Sequence, residues 1–185
     1  MAPPPTGSPS PSKTAVLVLL LRLLTAAFLV VSVIVLGTNS GTFEISGLAA
    51  KVRFKDVYAY RYMLSAGVIG LVYSVIQLFF SISQFATGKI NPINFQLDFY
   101  GDKIMSYFLA TGSAAGFGVT KDLKAALLAF VTFDSTDPVD KFFGKAYASA
   151  SLLLLAFVCL AVLSVFSSFA LIDIIITNHE RLPLI

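Results

Sequence analysis

Four long apolar stretches divide the chain, at about residues 15–36, 60–85, 99–119 and 147–176. Each reaches the ~20 residues a helix needs to cross the hydrocarbon of a bilayer. Backbone N–H and C=O groups cannot stay unpaired in lipid, so runs of this length predict helices. The pattern predicts an all-α membrane protein, an antiparallel four-transmembrane-helix bundle in which short connections place sequence neighbours side by side. Residues 1–14 form a Pro/Ser-rich head of disordered character, and 177–185 a short tail. The first apolar run is long enough to be a retained anchor rather than a cleaved signal. An even number of spans puts both termini on one side.

The connections differ in kind. Residues 38–59 are polar and mixed, with a basic cluster at Lys51, Arg53 and Lys55, and 86–98 are short and rich in Pro and Asn. Residues 121–145 enclose an apolar segment, 125–133, too short to span and expected to pack on the bundle or lie at the interface. Asp137-Pro138, with Asp140 two residues on, reads as N-cap, N1 and N3 of the fourth helix. Asp56 is expected to cap the second helix, and Gly37 and Gly88 to end the first two.

Polar residues inside the apolar runs carry the most information. Arg22 lies about 10 Å into the first span at 1.5 Å per residue, and one guanidinium at mid-bilayer costs at least about 2.5 kcal/mol. Asp102, at the start of the third span, approaches the same leaflet at similar depth, because alternate spans run parallel. The two are expected to form a structural intramembrane ion pair, the alternative being that each snorkels to the headgroups alone. Thr25 and Ser32 share the Arg22 face. In the second span Ser74, Gln77, Ser81 and Gln84 recur at helical spacing. Such a stripe serves as interhelical hydrogen-bonding glue, at ~0.6–2 kcal/mol per contact, more often than it lines a water-filled path. Gly112 and Gly116 make a GxxxG in the third span, and Ala66 and Gly70 stand in the same relation in the second. These small residues permit close helix packing, within one chain or between copies.

Composition agrees with the pattern. Of 185 residues, 57% are hydrophobic and 12% charged, against roughly 45–50% and 25% in a soluble domain. The net charge of +3 is small, the basic residues are scattered and Trp is absent, so no nucleic-acid surface is expected. Cys159, the single cysteine, reads as a small buried hydrophobe. His179, the only histidine, lies in the tail, and no Walker or Rossmann glycine pattern occurs. Neither catalytic residues, metal ligands nor cofactor-binding residues are expected, and the chain reads as a non-enzyme. If the termini are cytoplasmic, the outer loops hold Lys51, Arg53, Lys55, Arg61, Lys121, Lys124, Lys141 and Lys145, so the positive-inside count alone favours the opposite orientation.

Arg22 and Asp102, with the stretches FKDVYAYRYMLSAGVIGLVYSVIQL (54–78), QLDFYGDKIMSYFLATGSAAGFGVTKDLK (96–124) and DSTDPVDKFFGKAYASASLLLLAFVCLAVLSVFSSFAL (134–171), carry a resemblance. The chain resembles group 4 (4D-type) of the plant Casparian-strip membrane domain protein-like family, whose fold is related to four-span MARVEL domains. Arg22 and Asp102 match that family's two characteristic charged positions. The resemblance implies a multi-pass plasma-membrane protein with cytoplasmic termini. It further implies homo- and hetero-oligomers with related four-span proteins, and in some relatives membrane platforms that localise cell-wall-modifying enzymes. The first outer loop, TNSGTFEISGLAAKVRFKD, lacks cysteines and differs from the distinctive loop of the Casparian-strip builders. The resemblance therefore supports a general scaffold, organising membrane lipids and proteins, and lends no support to a lignin-directing role. The alternative is a channel or transporter subunit for a small solute, using the Ser74/Gln77/Ser81/Gln84 stripe.

Overall fold

A computed structural model describes residues 13–45, 48–87, 92–130 and 137–180, with side chains over 16–42, 51–83, 99–129 and 137–169. Four helices account for most of it: α1 (Lys13–Gly37), α2 (Tyr58–Thr87), α3 (Pro92–Phe130) and α4 (Asp137–Glu180). Three contain segments long and apolar enough to cross a membrane, Val16–Gly37, Tyr58–Ser83 and Asp137–Phe169. α3 is long, but Gly, Ser, Thr and Ala dilute its apolar run and charges bracket it.

The predicted helical class holds, with one addition in the first connection. Between α1 and α2 lies an antiparallel hairpin of β1 (Ser40–Ile45) and β2 (Leu48–Arg53), in register from Ser40 opposite Arg53 to Ile45 opposite Leu48. Residues 38–57 carry no 3.6-residue apolar period in sequence, and the backbone groups of 40–45 and 48–53 find partners across a two-stranded ladder instead. The hairpin is tied down at its root. Phe54 N–H donates to the Asn39 carbonyl at 3.2 Å, and Asn39 Nδ2 donates to the Phe142 carbonyl on α4 at 2.9 Å.

Asp56 also departs from expectation. Its Oδ2 accepts the Arg53 N–H at 2.8 Å and closes the single 3-10 turn Phe54–Asp56, while α2 begins at Tyr58 without a side-chain cap from it. Gly37 is the last residue of α1, and Gly88 lies outside the described residues. Residues 125–130 continue α3 rather than lying flat at an interface, with Leu127 packed on the core and Leu128 exposed; 131–133 lie outside the described residues.

Partner numbers fix the helix registers. Along α2 and α3, Tyr60 meets Thr120, Ala66 meets Gly112 and Tyr73 meets Asp102. Between α1 and α4, Asn39 meets Phe142 and Ser32 meets Ser149. In both pairs the numbers fall along one helix as they rise along the other. Ser32 and Ser149 clasp reciprocally, each hydroxyl donating to the other's carbonyl at 2.9 Å. Below the hairpin, Tyr60, Phe142 and Phe143 are fully buried, with Tyr60 edge-on to Phe142 at 6.2 Å between centroids.

The distribution of polarity is the reverse of a soluble protein's. Leu20, Leu23, Ile34, Val72, Val75, Phe79, Val165 and Phe169 point outward, while Arg22, Thr25, Ser32, Ser74, Gln77, Asp102, Ser106 and Ser149 are buried. Hydrogen-bonding groups have been gathered where another helix can satisfy them, and aliphatic side chains face what must be an apolar solvent.

Candidate functional site

Arg22 on α1 and Asp102 on α3 meet inside the protein, Nη2 to Oδ2 at 3.5 Å, with side chains 4% and 0% exposed. Enclosure of this kind distinguishes a pair from two independently snorkelling charges. Asp102 also takes a hydrogen bond from α2, because Tyr73 OH donates to Oδ1 at 2.7 Å. Gln77 Nε2, one turn along α2, donates to the same phenolic oxygen at 2.8 Å. Three helices thus converge on one carboxylate.

Tyr73 reaches Asp102 because residue 101 has no side chain. A Cβ on Gly101 would stand 2.5 Å from the Tyr73 hydroxyl oxygen and 2.9 Å from the ring. Neither Tyr73 nor Gly101 was singled out from the sequence. The available signals were a mid-span tyrosine, whose hydroxyl needs a partner when buried, and a glycine inside a helix beside a buried charge. We expect Gly101→Ala to push the ring away and mimic Tyr73→Phe, each lowering thermal stability in detergent by about 1–3 kcal/mol. Combining them should add little beyond the larger single effect, since both remove one hydrogen bond. Fully additive losses in a melting series would count against this arrangement.

The polar stripe of α2 divides. Ser74 and Gln77 are buried, Ser81 is half-buried, and the Gln84 side chain lies outside the described residues. Among the described residues, Ser74 Oγ and Gln77 Oε1 have no hydrogen-bond partner. Thr25 spends its hydroxyl on the Leu21 carbonyl of its own helix.

The small residues lie between helices of one chain. A Cβ on Gly112 would stand 2.9 Å from Ala66 Cβ and 3.1 Å from Leu153 Cδ2. On Gly116 it would collide with the Met63 sulfur, and on Gly70 it would stand 2.9 Å from Leu109 Cδ2. Among the described residues, no group of His, Cys, Asp and Glu has the proximity to hold a metal ion.

The paired charges on α1 and α3 fall within a segment, residues 11–159, that matches the family model of the Casparian strip membrane protein domain. The chain belongs to that family. It is 71% identical over 171 residues to CASP-like protein 4D2 of Arabidopsis thaliana, covering 92% of this chain and 98% of the relative. It is 50% identical over 174 residues to CASP-like protein 4D1 of Ricinus communis, covering 92% and 98%. Similarity extends to CASP-like protein 4D1 of Sorghum bicolor, at 33% over 175 residues. No solved structure matches the chain. This member of the Casparian strip membrane protein family, of the CASP-like 4D group, is thus a membrane protein with a polar, charge-bearing interior.

Proposed function

We propose that this chain is a non-enzymatic plasma-membrane scaffold, an antiparallel four-span bundle that associates laterally with itself and related four-span proteins. Both termini lie in the cytoplasm, and the patch it organises recruits cell-wall-modifying proteins. In this reading α3 is the fourth span. Its uncharged run 104–120 covers about 25 Å at 1.5 Å per residue, and Lys103 and Lys121, both exposed, carry their ammonium groups to the two headgroup layers.

The observation that carries the proposal is where the polar groups are used. Arg22, Asp102 and Tyr73 bond to one another across three helices, which holds the register of the bundle. The outward faces offer aliphatic and aromatic side chains to lipid or to another copy. A bundle held rigid from within, in a family named for a membrane domain, is suited to be a building block.

The test is photobleaching recovery of the tagged full-length protein at the plasma membrane of a plant cell. We expect slow, incomplete recovery in patches, and crosslinked species larger than one chain from the same membranes. Fast, uniform recovery with monomer alone would overturn the scaffold. The channel reading would then come first, with the unpartnered Ser74 and Gln77 oxygens as the groups along its path.

A further inference from the structure

At the hairpin end of the bundle, two open recesses of about 280 and 360 Å3 share Ser40 as a common wall. Lys51, Arg53 and Lys55 line the first, and Lys141 and Lys145 the second. All five are exposed, and among the described residues none is in an ion pair. No acidic residue lines either recess. Of the acids close by, Asp56 accepts the Arg53 backbone N–H at 2.8 Å and Asp140 pairs with Lys124 at 2.8 Å, while Asp137 stands exposed beside Pro138, outside the lining. A groove whose cations lack counter-charges attracts anions more strongly than the same residues dispersed.

Hydroxyl groups share the rest of the wall with Phe54 in the first recess and Pro138 and Phe142 in the second. Thr38 and Ser40 stand on the first recess, and Ser40 and Thr42 on the second. Each recess is of small-ligand size, against roughly 300–1,000 Å3 for typical sites, and their junction at Ser40 makes an elongated track. The track is prearranged. Asn39 binds the carbonyl of Phe142, so the hairpin carrying Lys51 and Arg53 is held against the helix carrying Lys141 and Lys145.

We propose that this groove binds a carboxylate-bearing polysaccharide, a uronate chain whose repeating acids meet the five cations and whose hydroxyls meet Ser40 and Thr42. Both features of the wall are used. A polycarboxylate without hydroxyls satisfies only the cations, and a neutral polyol only the hydroxyls. An anionic bilayer surface is flat and presents its charge as a sheet, which fits a track between a hairpin and a helix less well. Binding in solution does not depend on the scaffold reading; meeting such a polymer in the cell depends on its orientation.

The experiment uses the full chain in nanodiscs of neutral phosphatidylcholine, titrated with oligogalacturonate, poly-glutamate of matched charge and neutral dextran. We expect oligogalacturonate to bind more tightly than poly-glutamate, dextran not to bind, and affinity to fall with added salt. The Lys51→Gln/Arg53→Gln/Lys141→Gln variant should lose about tenfold or more, whereas Lys121→Gln, at the same end but outside the groove, should not. The melting temperature of each variant, read alongside, separates lost binding from lost fold. Should the triple variant prove unfolded, Lys145→Gln alone replaces it and must weaken binding. Equal binding of poly-glutamate, or unchanged affinity in folded groove variants, would overturn the proposal. So would capture by vesicles containing anionic lipid without any binding of oligogalacturonate.

Discussion

Asp102→Leu should leave a protein that no longer elutes as a folded species after mild heating in detergent, and Arg22→Leu should fail less completely. Removing one member of a buried ion pair strands the other, which typically destabilises by about 3–5 kcal/mol. The two losses differ in kind. Without Arg22, the carboxylate keeps its hydrogen bond from Tyr73 and can take up a proton. Without Asp102, the guanidinium cannot shed its charge, because arginine stays protonated in proteins. The double variant Arg22→Leu/Asp102→Leu should recover more than half of the larger single loss, since no buried charge remains. Fluorescence-detected size exclusion over a temperature series reads all three. If the double loss equals the sum of the singles, the residues act independently and the pair has no energetic meaning.

Gly112→Leu should be the most damaging glycine substitution in α3, at about 3 kcal/mol, the upper end of ordinary overpacking. A Cβ there meets Ala66 Cβ, which is fixed to the α2 backbone, and Leu153 on α4. Leu153 can turn its Cδ2 aside but Ala66 Cβ cannot move without its helix, so the added side chain separates α3 from α2. Gly116→Ala should cost less, although the nominal collision is closer, because it falls on the flexible thioether of Met63. Gly118→Leu should be neutral, with nothing within 4 Å of its Cβ position. Thermal unfolding of these variants orders them, and a Gly118→Leu protein as unstable as Gly112→Leu would refute the packing argument.

These cases mark how far the sequence reached. The helices were legible because backbone in lipid has few alternatives, and 15–36 and 60–85 fall within two residues of α1 and α2. The other two apolar runs understate their helices. α3 starts at Pro92, well before its apolar residues begin, and α4 at Asp137, where the Asp137-Pro138 capping signal puts it, because helix ends outside the membrane are set by caps and packing rather than by hydropathy. The meeting of Arg22 and Asp102 follows from depth and from the parity of the spans alone. Tyr73 did not, since nothing in the spacing reveals which way a tyrosine leans until Gly101 clears its path. The hairpin's signal in the sequence, two short runs separated by Ser46-Gly47, is faint beside apolar runs of lipid-spanning length. That Gly112 and Gly116 face α2 and α4 of the same chain is a tertiary fact which the motif itself does not encode.

α4 runs unbroken for 44 residues, about 66 Å at 1.5 Å per residue, more than twice the roughly 30 Å of hydrocarbon. Its first turns carry Lys141 and Lys145 beside the hairpin, and its last lie beyond the far edge of the apolar segment. No proline interrupts it after Pro138, so no missing N–H breaks its hydrogen-bond ladder beyond the first turn. A change in bilayer thickness is then met by tilting this long rod rather than by shortening it.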